Sequence, residues 1–364
     1  MSTLSPPAPR SAAAVRRRQR LEEALLPPLV AVLAAVVVGD LLILAFGQSP
    51  ADVYGLLLEG TWGNAYGFGQ VLYKATTLAF TGLAVALALR AGLFNIGAEG
   101  QLAAGGFVAA GVGLLLPAGT PGVLAVPLLL LAAALGGGVV GAVPGALKAR
   151  FGAHEVIVTI MLNFIVLALL NYIVAAHLHV PETLHTPEIR AGAVPRLAEA
   201  FASFHGSAAN WTLVVALLCA AAVWWYLFRT RRGYELRAVG LQPDAAEYGG
   251  VNVGGVWFRA MAVSGAIAGL GGVNYVLGYK HYYEDGFAGG AGFLGIAVAL
   301  VGRNDPLGVV LAALFFATLS QGGLAINAVV PKQMVEVLQG VVILAVAVSV
   351  PEVRRLLQQR RARA

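Results

Sequence analysis

Residues 122–147, GVLAVPLLLLAAALGGGVVGAVPGAL, form an unbroken run of 26 residues that contains no charged side chain. A helix of about 20 apolar residues is long enough to cross the hydrocarbon core of a bilayer, which is about 30 Å thick. The two prolines and six glycines of the run are tolerated better in membrane helices than in soluble ones. This stretch therefore predicts a transmembrane helix and places the chain among membrane proteins.

The rest of the chain carries the same signal. Of its 364 residues, 59% are hydrophobic and 12% are charged, whereas soluble domains contain about 25% charged residues. Runs of sufficient length predict an all-α membrane protein with about ten transmembrane helices. Segment 287–301 is short and rich in glycine, which is typical of a re-entrant or broken helix surrounded by protein. The predicted spans are 25–46, 70–89, 93–116, 122–147, 155–176, 211–228, 257–277, 287–301, 306–329 and 333–350.

The lysines and arginines predict the orientation, because cytoplasmic loops of membrane proteins hold an excess of these residues. With the first segment inside, nineteen of the 24 basic side chains fall on the cytoplasmic side. We therefore expect both termini to be cytoplasmic. The chain then consists of a basic segment 1–24, a membrane domain 25–350 and a basic tail 351–364, with a long external loop at 177–210 and a long cytoplasmic loop at 229–256.

Several signals for chemistry are missing from the sequence. No lysine follows a glycine, so the phosphate-binding loop G-x-x-x-x-G-K-[ST] does not occur, and any ATP would have to be bound by another chain. Cys219 is the single cysteine and cannot form an intramolecular disulfide. His177, His179 and His185 with Glu182 lack the spacing of a metal site. We predict no catalytic residue, no metal, no enzyme activity and no nucleic-acid partner.

Polar residues gather in two apolar regions. In residues 90–101, RAGLFNIGAEGQ, Asn95 can cap a helix and Glu99 can favour its positive end, but an ionisable residue near membrane depth is also a functional candidate. In residues 154–163, HEVIVTIMLN, Thr159 and Asn163 share a helix face, which suits helix packing or a polar stripe along a solute path. The candidates for a solute path are Asn95, Glu99, Gln101, Thr159 and Asn163.

The cytoplasmic loop contains QPDAAEYGG at residues 242–250. Proline suits the first position of a helix, acidic residues favour its first turn, and glycine ends it. The pattern predicts a short helix on which a partner protein could dock. An ordinary amphipathic loop is the alternative interpretation.

Together these segments resemble the permease subunits of bacterial ABC importers in the ribose and branched-chain amino acid permease superfamily, and most closely its nucleoside branch. The matching stretches are GLFNIGAEGQLAAGG at 92–106, HEVIVTIMLNFI at 154–165, and TRRGYELRAVGLQPDAAEYGGVN with SGAIAGLGG between 230 and 272. They occur in the order of the family, and the resemblance covers most of 70–350.

The resemblance implies a permease in a bacterial plasma (inner) membrane that works with a second related permease, a cytoplasmic ABC ATPase and an external substrate-binding lipoprotein. ATP and Mg would be used by the ATPase, and this chain would bind no cofactor. The cytoplasmic segment is similar to the one that couples such permeases to their ATPase. The candidates for that contact are Arg237, Pro243, Asp244, Ala245, Ala246, Glu247 and Gly249.

The solute that the resemblance implies is a nucleoside or a related sugar. A simple sugar such as ribose is one alternative, and an ion-coupled secondary transporter is another. Ion coupling requires ionisable residues in the middle of the membrane. Asp40 and Glu336 lie toward the external ends of their predicted spans, and Glu99 lies near a cytoplasmic end, which argues against it.

Overall fold

The computed structural model describes residues 33–34, 36–331 and 333–345. The predicted terminal segments 1–24 and 351–364 lie outside these ranges. Within the described residues, β pairing is confined to two isolated bridges. The helices are α1 (Val36–Ala45), α2 (Pro50–Thr61), α3 (Ala65–Arg90), α4 (Ala98–Leu115), α5 (Gly122–Phe151), α6 (Glu155–Ile173), α7 (Leu197–Ala200), α8 (Thr212–Arg229), α9 (Arg231–Leu241), α10 (Pro243–Tyr248), α11 (Val253–Tyr275), α12 (Ala291–Val301), α13 (Pro306–Ala325) and α14 (Gln333–Ala345).

The chain divides into two compact units. One comprises the described residues up to Tyr54 together with the described residues from Ile326 onward. Within it the Tyr54 hydroxyl donates a hydrogen bond of 2.9 Å to Asp40 Oδ1. The other unit is Gly55–Ala325, which contains α3 to α13. All the sites described below lie in this second unit.

Seven helices in the described part of the chain are long and apolar enough to cross a membrane. They are α3, α4, α5, α6, α8, α11 and α13, with α6 and α11 extended by π-helical turns, and α1 with α2 would add an eighth as a broken pair. The predicted segment 287–301 forms only the 11-residue α12, which is too short to span a bilayer alone. The predicted count of ten therefore stays a prediction, since its first and last spans run beyond the described residues.

The helices form a buried inner group and an outer group. Helix α11 packs against α3, α4 and α5, and α3 also packs against α12 and α13. Most of α3, α4 and α11 is buried, whereas α5, α6 and α8 expose apolar side chains such as Leu124, Phe164 and Leu218. Lipid is the natural solvent for such faces.

Glycines set the distance between α5 and α11. A Cβ added to Gly137 would lie 2.3 Å from the Gly265 carbonyl oxygen, and one added to Gly141 would lie 2.4 Å from that of Met261. Gly269 meets the Ala133 carbonyl in the same way. Small residues allow such close approach, and packing of this kind drives association where lipid provides no hydrophobic effect between helices.

Gly137→Ala should destabilise the protein by about 1–3 kcal/mol, because its methyl group would overlap the backbone of α11. Gly111→Ala is the matched control, since a Cβ at Gly111 in α4 meets nothing within 4 Å and alanine favours helix formation. Thermal unfolding in detergent would measure both variants. Equal unfolding temperatures for the two would contradict the close packing of α5 and α11.

Candidate functional site

The start of α12 lies against the start of α4, and Glu99 joins them. A Cβ added to Gly292 would lie 2.2 Å from the Glu99 backbone nitrogen. The Glu99 carboxylate accepts hydrogen bonds from the N–H groups of Gly290 at 2.7 Å and Gly292 at 2.6 Å. Although Glu99 lies in the first turn of α4, its bonds go to α12. There it satisfies backbone donors that a helix leaves unpaired in its first turn.

Capping of α4 was one of the two interpretations left open for Asn95, but Gly97 occupies the cap position, and Asn95 forms a buried network. Its Oδ1 accepts from the Gly97 N–H at 3.0 Å, and its amide pairs with that of Gln101 in both directions at 2.8 and 3.1 Å. Asn95 Nδ2 also donates to Ser264 Oγ at 2.8 Å, and Ser264 donates to the Ala84 carbonyl at 2.6 Å. The network ties the loop before α4 to α3 and α11.

Asn163 of α6 holds the same loop from its other side. Its Nδ2 donates to the Ile96 carbonyl at 2.8 Å, and the Gly100 N–H donates to its Oδ1 at 2.9 Å. Thr159 bonds within α6, where its hydroxyl donates to the Glu155 carbonyl at 2.8 Å. The buried polar side chain of Asn163 is therefore explained by hydrogen bonds to the loop before α4 and the start of α4. That of Thr159 is explained by a hydrogen bond within its own helix.

The five residues predicted for a solute path thus gather around the start of α4. They are between 0% and 4% exposed, and their side chains bond within the protein. None of them lines the cavity described next, although Glu99 bonds Gly290, which does. Their direct role along a solute path stays a prediction. All of them except Thr159 form hydrogen bonds that fix the starts of α4 and α12.

A cavity of about 320 Å³ lies among α3, α4, α11, α12 and α13, within the range of roughly 300–1,000 Å³ common for small-molecule sites. The turn entering α12 forms one wall, and its Gly290 is the residue whose N–H is bonded to Glu99. Tyr73, Tyr275 and Phe287 supply aromatic surface to the lining. The sequence interpretation missed these aromatic residues, because an aromatic side chain in an apolar run is usually a packing residue.

Asn274 fixes the part of α3 that lines the cavity. This residue is 1% exposed, and its Nδ2 donates to the Tyr73 carbonyl at 2.9 Å and to Thr77 Oγ1 at 2.8 Å. Its Oδ1 accepts from Thr212 Oγ1 at 2.8 Å and from Asn210 Nδ2 at 2.9 Å. One buried amide therefore joins α3, α8 and α11. In the sequence, the only signal for this role of Asn274 was the presence of an asparagine within a predicted transmembrane span.

The long loop between α6 and α8 packs on the segment that follows α11. Backbone N–H groups of Thr186, Ile189 and Val194 donate to carbonyls of that segment at 2.7–3.0 Å. Burial lowers the pKa of His281 in the segment, and the nearby Arg196 guanidinium lowers it further. The imidazole is therefore uncharged at neutral pH. The long loop between α6 and α8 is therefore held against the bundle by backbone hydrogen bonds.

Two helices, rather than the single predicted one, lie between α8 and α11. Helix α9 was not predicted, whereas α10 has the predicted bounds, with Pro243 at its first position and Asp244 in its first turn. Gly249 caps α10, and Gly250 follows with a φ of +83°, which suits glycine. The predicted short helix is confirmed.

The residues predicted to contact an ATPase do not all face outward. Ala245 is exposed and Tyr248 is 97% exposed, whereas Ala246 is buried against its own chain. The Arg237 guanidinium also packs inward, 5.2 Å above the ring of Phe228 in α8. The exposed residues of this region are Leu241, Gln242, Asp244, Ala245, Glu247, Tyr248, Gly249 and Gly250.

Helix α9 contacts the loop that leads to α4. A Cβ added to Gly240 would lie 2.1 Å from the Arg90 carbonyl oxygen, and one added to Gly92 would lie 3.2 Å from Gly240 Cα. Arg90 Nε also donates to the Asn304 carbonyl at 2.9 Å, so this contact includes the turn between α12 and α13. The outward surface at α10 is thus connected through α9 to the loop that Asn95 holds.

Comparison with known proteins gives the same assignment as the sequence motifs. The chain is 39% identical to the guanosine ABC transporter permease protein of Bacillus subtilis, covering 87% of this chain and 91% of the relative. It is 34% identical to the glucose ABC transporter permease protein of Haloferax volcanii, covering 87% and 86%. It is 35% identical to a nucleoside ABC transporter permease protein of Lactococcus lactis, covering 87% and 89%. No solved structure matches the chain significantly.

Residues 67–347 match the family described as the permease component of the branched-chain amino acid transport system. This match covers most of the chain, and the described residues contain at least seven helices suited to crossing a membrane. The chain is therefore a multi-pass membrane protein and belongs to the family of branched-chain amino acid transport system permease components.

Proposed function

We propose that this chain is the membrane-spanning permease subunit of an ATP-driven ABC importer and forms the path for nucleosides. The observation that carries the proposal is the cavity among the inner helices, with aromatic rings and a few polar groups in an otherwise apolar wall. Small-molecule sites have this composition. The relatives named for guanosine and for nucleosides support the same class of solute.

The energy source and the partners form part of the proposal. A separate cytoplasmic ATPase would bind ATP and Mg and dock on the outward surface around α10, where the exposed Leu241 at the end of α9 and Tyr248 at the end of α10 offer apolar contacts. A second related permease would complete the membrane part, and an external lipoprotein would deliver the solute. The permease itself would carry no catalytic residue.

Movement at α10 would reach the cavity through contacts between neighbouring elements. Helix α9 touches the loop after α3 at Gly240, and Asn95 and Asn163 hold that loop in place. Glu99 follows directly and bonds the wall of the cavity at Gly290. A shift of α9 would therefore displace the start of α12 and change the shape of the cavity.

A simple sugar is the alternative solute, and the glucose permease of Haloferax volcanii favours it. Uptake into vesicles that contain the complete transporter would distinguish a nucleoside from a sugar as the transported solute. We expect ATP-dependent accumulation of labelled guanosine, and no competition by an excess of glucose. Accumulation of glucose without guanosine would replace the nucleoside assignment with the sugar one.

Glu99→Gln should lower the rate of guanosine uptake about tenfold, the equivalent of losing one charge-assisted hydrogen bond. The amide retains one acceptor oxygen, but it turns an NH₂ group toward a backbone N–H of α12. Glu59→Gln, at an exposed residue of α2, is the control and should transport normally. Wild-type uptake by Glu99→Gln at normal expression would show that its charge does not matter.

Ala245→Trp should prevent the ATPase from co-purifying with the permease, because the bulky ring would stand on the exposed surface of α10. Ala246→Trp should instead reduce folding and yield, since Ala246 is buried in its own chain and overpacking costs about 1–3 kcal/mol. Membrane insertion and ATPase recovery would be measured together. If Ala245→Trp folds and retains the ATPase, the docking surface lies elsewhere.

A further inference from the structure

Two aromatic rings form a continuous wall of the cavity. The centroids of Tyr275 and Phe287 lie 5.0 Å apart, with their planes tilted by 36°. Both residues are partly exposed and line the cavity. Tyr73, at the neighbouring face of α3, adds a third ring to the lining. This amount of aromatic surface is suited to a flat, unsaturated ring in the solute.

These rings are held in position from outside the cavity. The Tyr275 hydroxyl donates to a Glu284 carboxylate oxygen. Phe287 packs edge-on against Tyr283, with centroids 5.0 Å apart, and Tyr283 packs edge-on against Phe107 at 5.3 Å. Tyr283 is almost fully buried. The wall is thus preorganised, which reduces the entropy lost when a ligand binds.

Hydrogen-bonding groups occupy a different part of the lining. Lys74 Nζ lies 3.3 Å from the Ser320 carbonyl and 3.4 Å from Ser320 Oγ, so the pair joins α3 to α13. Thr77, one helical turn from Lys74, also lines the cavity, whereas its lining contains no aspartate or glutamate. Ammonium, hydroxyl and carbonyl groups suit the hydroxyls of a sugar.

We propose that the permease binds a nucleoside directly in this cavity, with the base against Tyr275 and Phe287 and the sugar toward Lys74, Thr77 and Ser320. This assignment rests on the proposed function and deepens it. Stacking on aromatic side chains tolerates different bases, because every base has a π-face. The permease therefore selects for a base attached to a sugar and accepts purines and pyrimidines alike.

The test is equilibrium binding of tritiated guanosine to the purified permease and ATPase complex without the lipoprotein. Tyr275→Leu and Phe287→Leu should each raise the Kd about tenfold, as expected for losing the stacking of one base on one ring. Tyr275→Phe keeps the ring and should recover most of the affinity that leucine loses. Thermal unfolding of each complex would confirm that the variants are folded.

The matched control is Phe164→Leu, which makes the same exchange on the exposed side of α6 and should leave the Kd unchanged. Unlabelled adenosine and uridine should displace guanosine, whereas free ribose at the same concentration should not. Displacement by ribose alone would assign recognition to the sugar and overturn the stacking proposal.

Failure of this proposal is distinguishable from failure of the proposed function. If vesicles accumulate guanosine but folded Tyr275→Leu and Phe287→Leu complexes bind it as the wild type does, the assignment of the cavity is wrong and the nucleoside function stands. If the wild-type complex transports guanosine but does not bind it without the lipoprotein, the assignment of the cavity is likewise wrong and the nucleoside function stands. If the transporter carries glucose and not guanosine, the proposed function fails, and the base subsite fails with it.

Discussion

The hydrogen bonds from α12 to the Glu99 carboxylate are the constraint on which the centre of the molecule depends. Helix α12 begins among other helices, where lipid cannot satisfy its first backbone N–H groups. A carboxylate at this positive helix end supplies acceptors and charge at once. Gly292 makes the contact possible, because any side chain there would collide with the backbone of Glu99. The short α12 and the cavity wall follow from this arrangement.

Close glycine packing gives the inner helices the precision that such a contact requires. Gly105 of α4 and Gly137 of α5 both meet Gly269 of α11 at distances that leave no room for a methyl group. Three helix backbones are thereby held against one another without long side chains. The side chains that do face inward, including Asn274 and Ser264, can then form specific hydrogen bonds instead of filling space.

The helical class, the positions of most helices and the short helix α10 could be predicted from the sequence, because apolar runs, proline and glycine are local signals. Hydrogen bonds between residues that lie far apart in the chain could not be predicted from the sequence. Glu99 and Gly290 are separated by 191 positions, and no local pattern shows that one caps the helix next to the other. Tyr275 and Phe287 were missed because an aromatic residue in an apolar run is usually a packing residue, and only the folded chain shows that both line one cavity.

The polar residues near α4 are better understood as the support of a site than as the site itself. A side chain that donates and accepts within the protein, as Asn95 does in four hydrogen bonds, has little capacity left for a solute. In the proposed coupling, the same bonds would make the loop move as one body with α9, because they resist separate movement of its residues. Tyr73, Tyr275 and Phe287, by contrast, line the cavity itself. In the proposed site, support and recognition are therefore divided between two neighbouring sets of residues, and Gly290, bonded to Glu99 and lining the cavity, belongs to both.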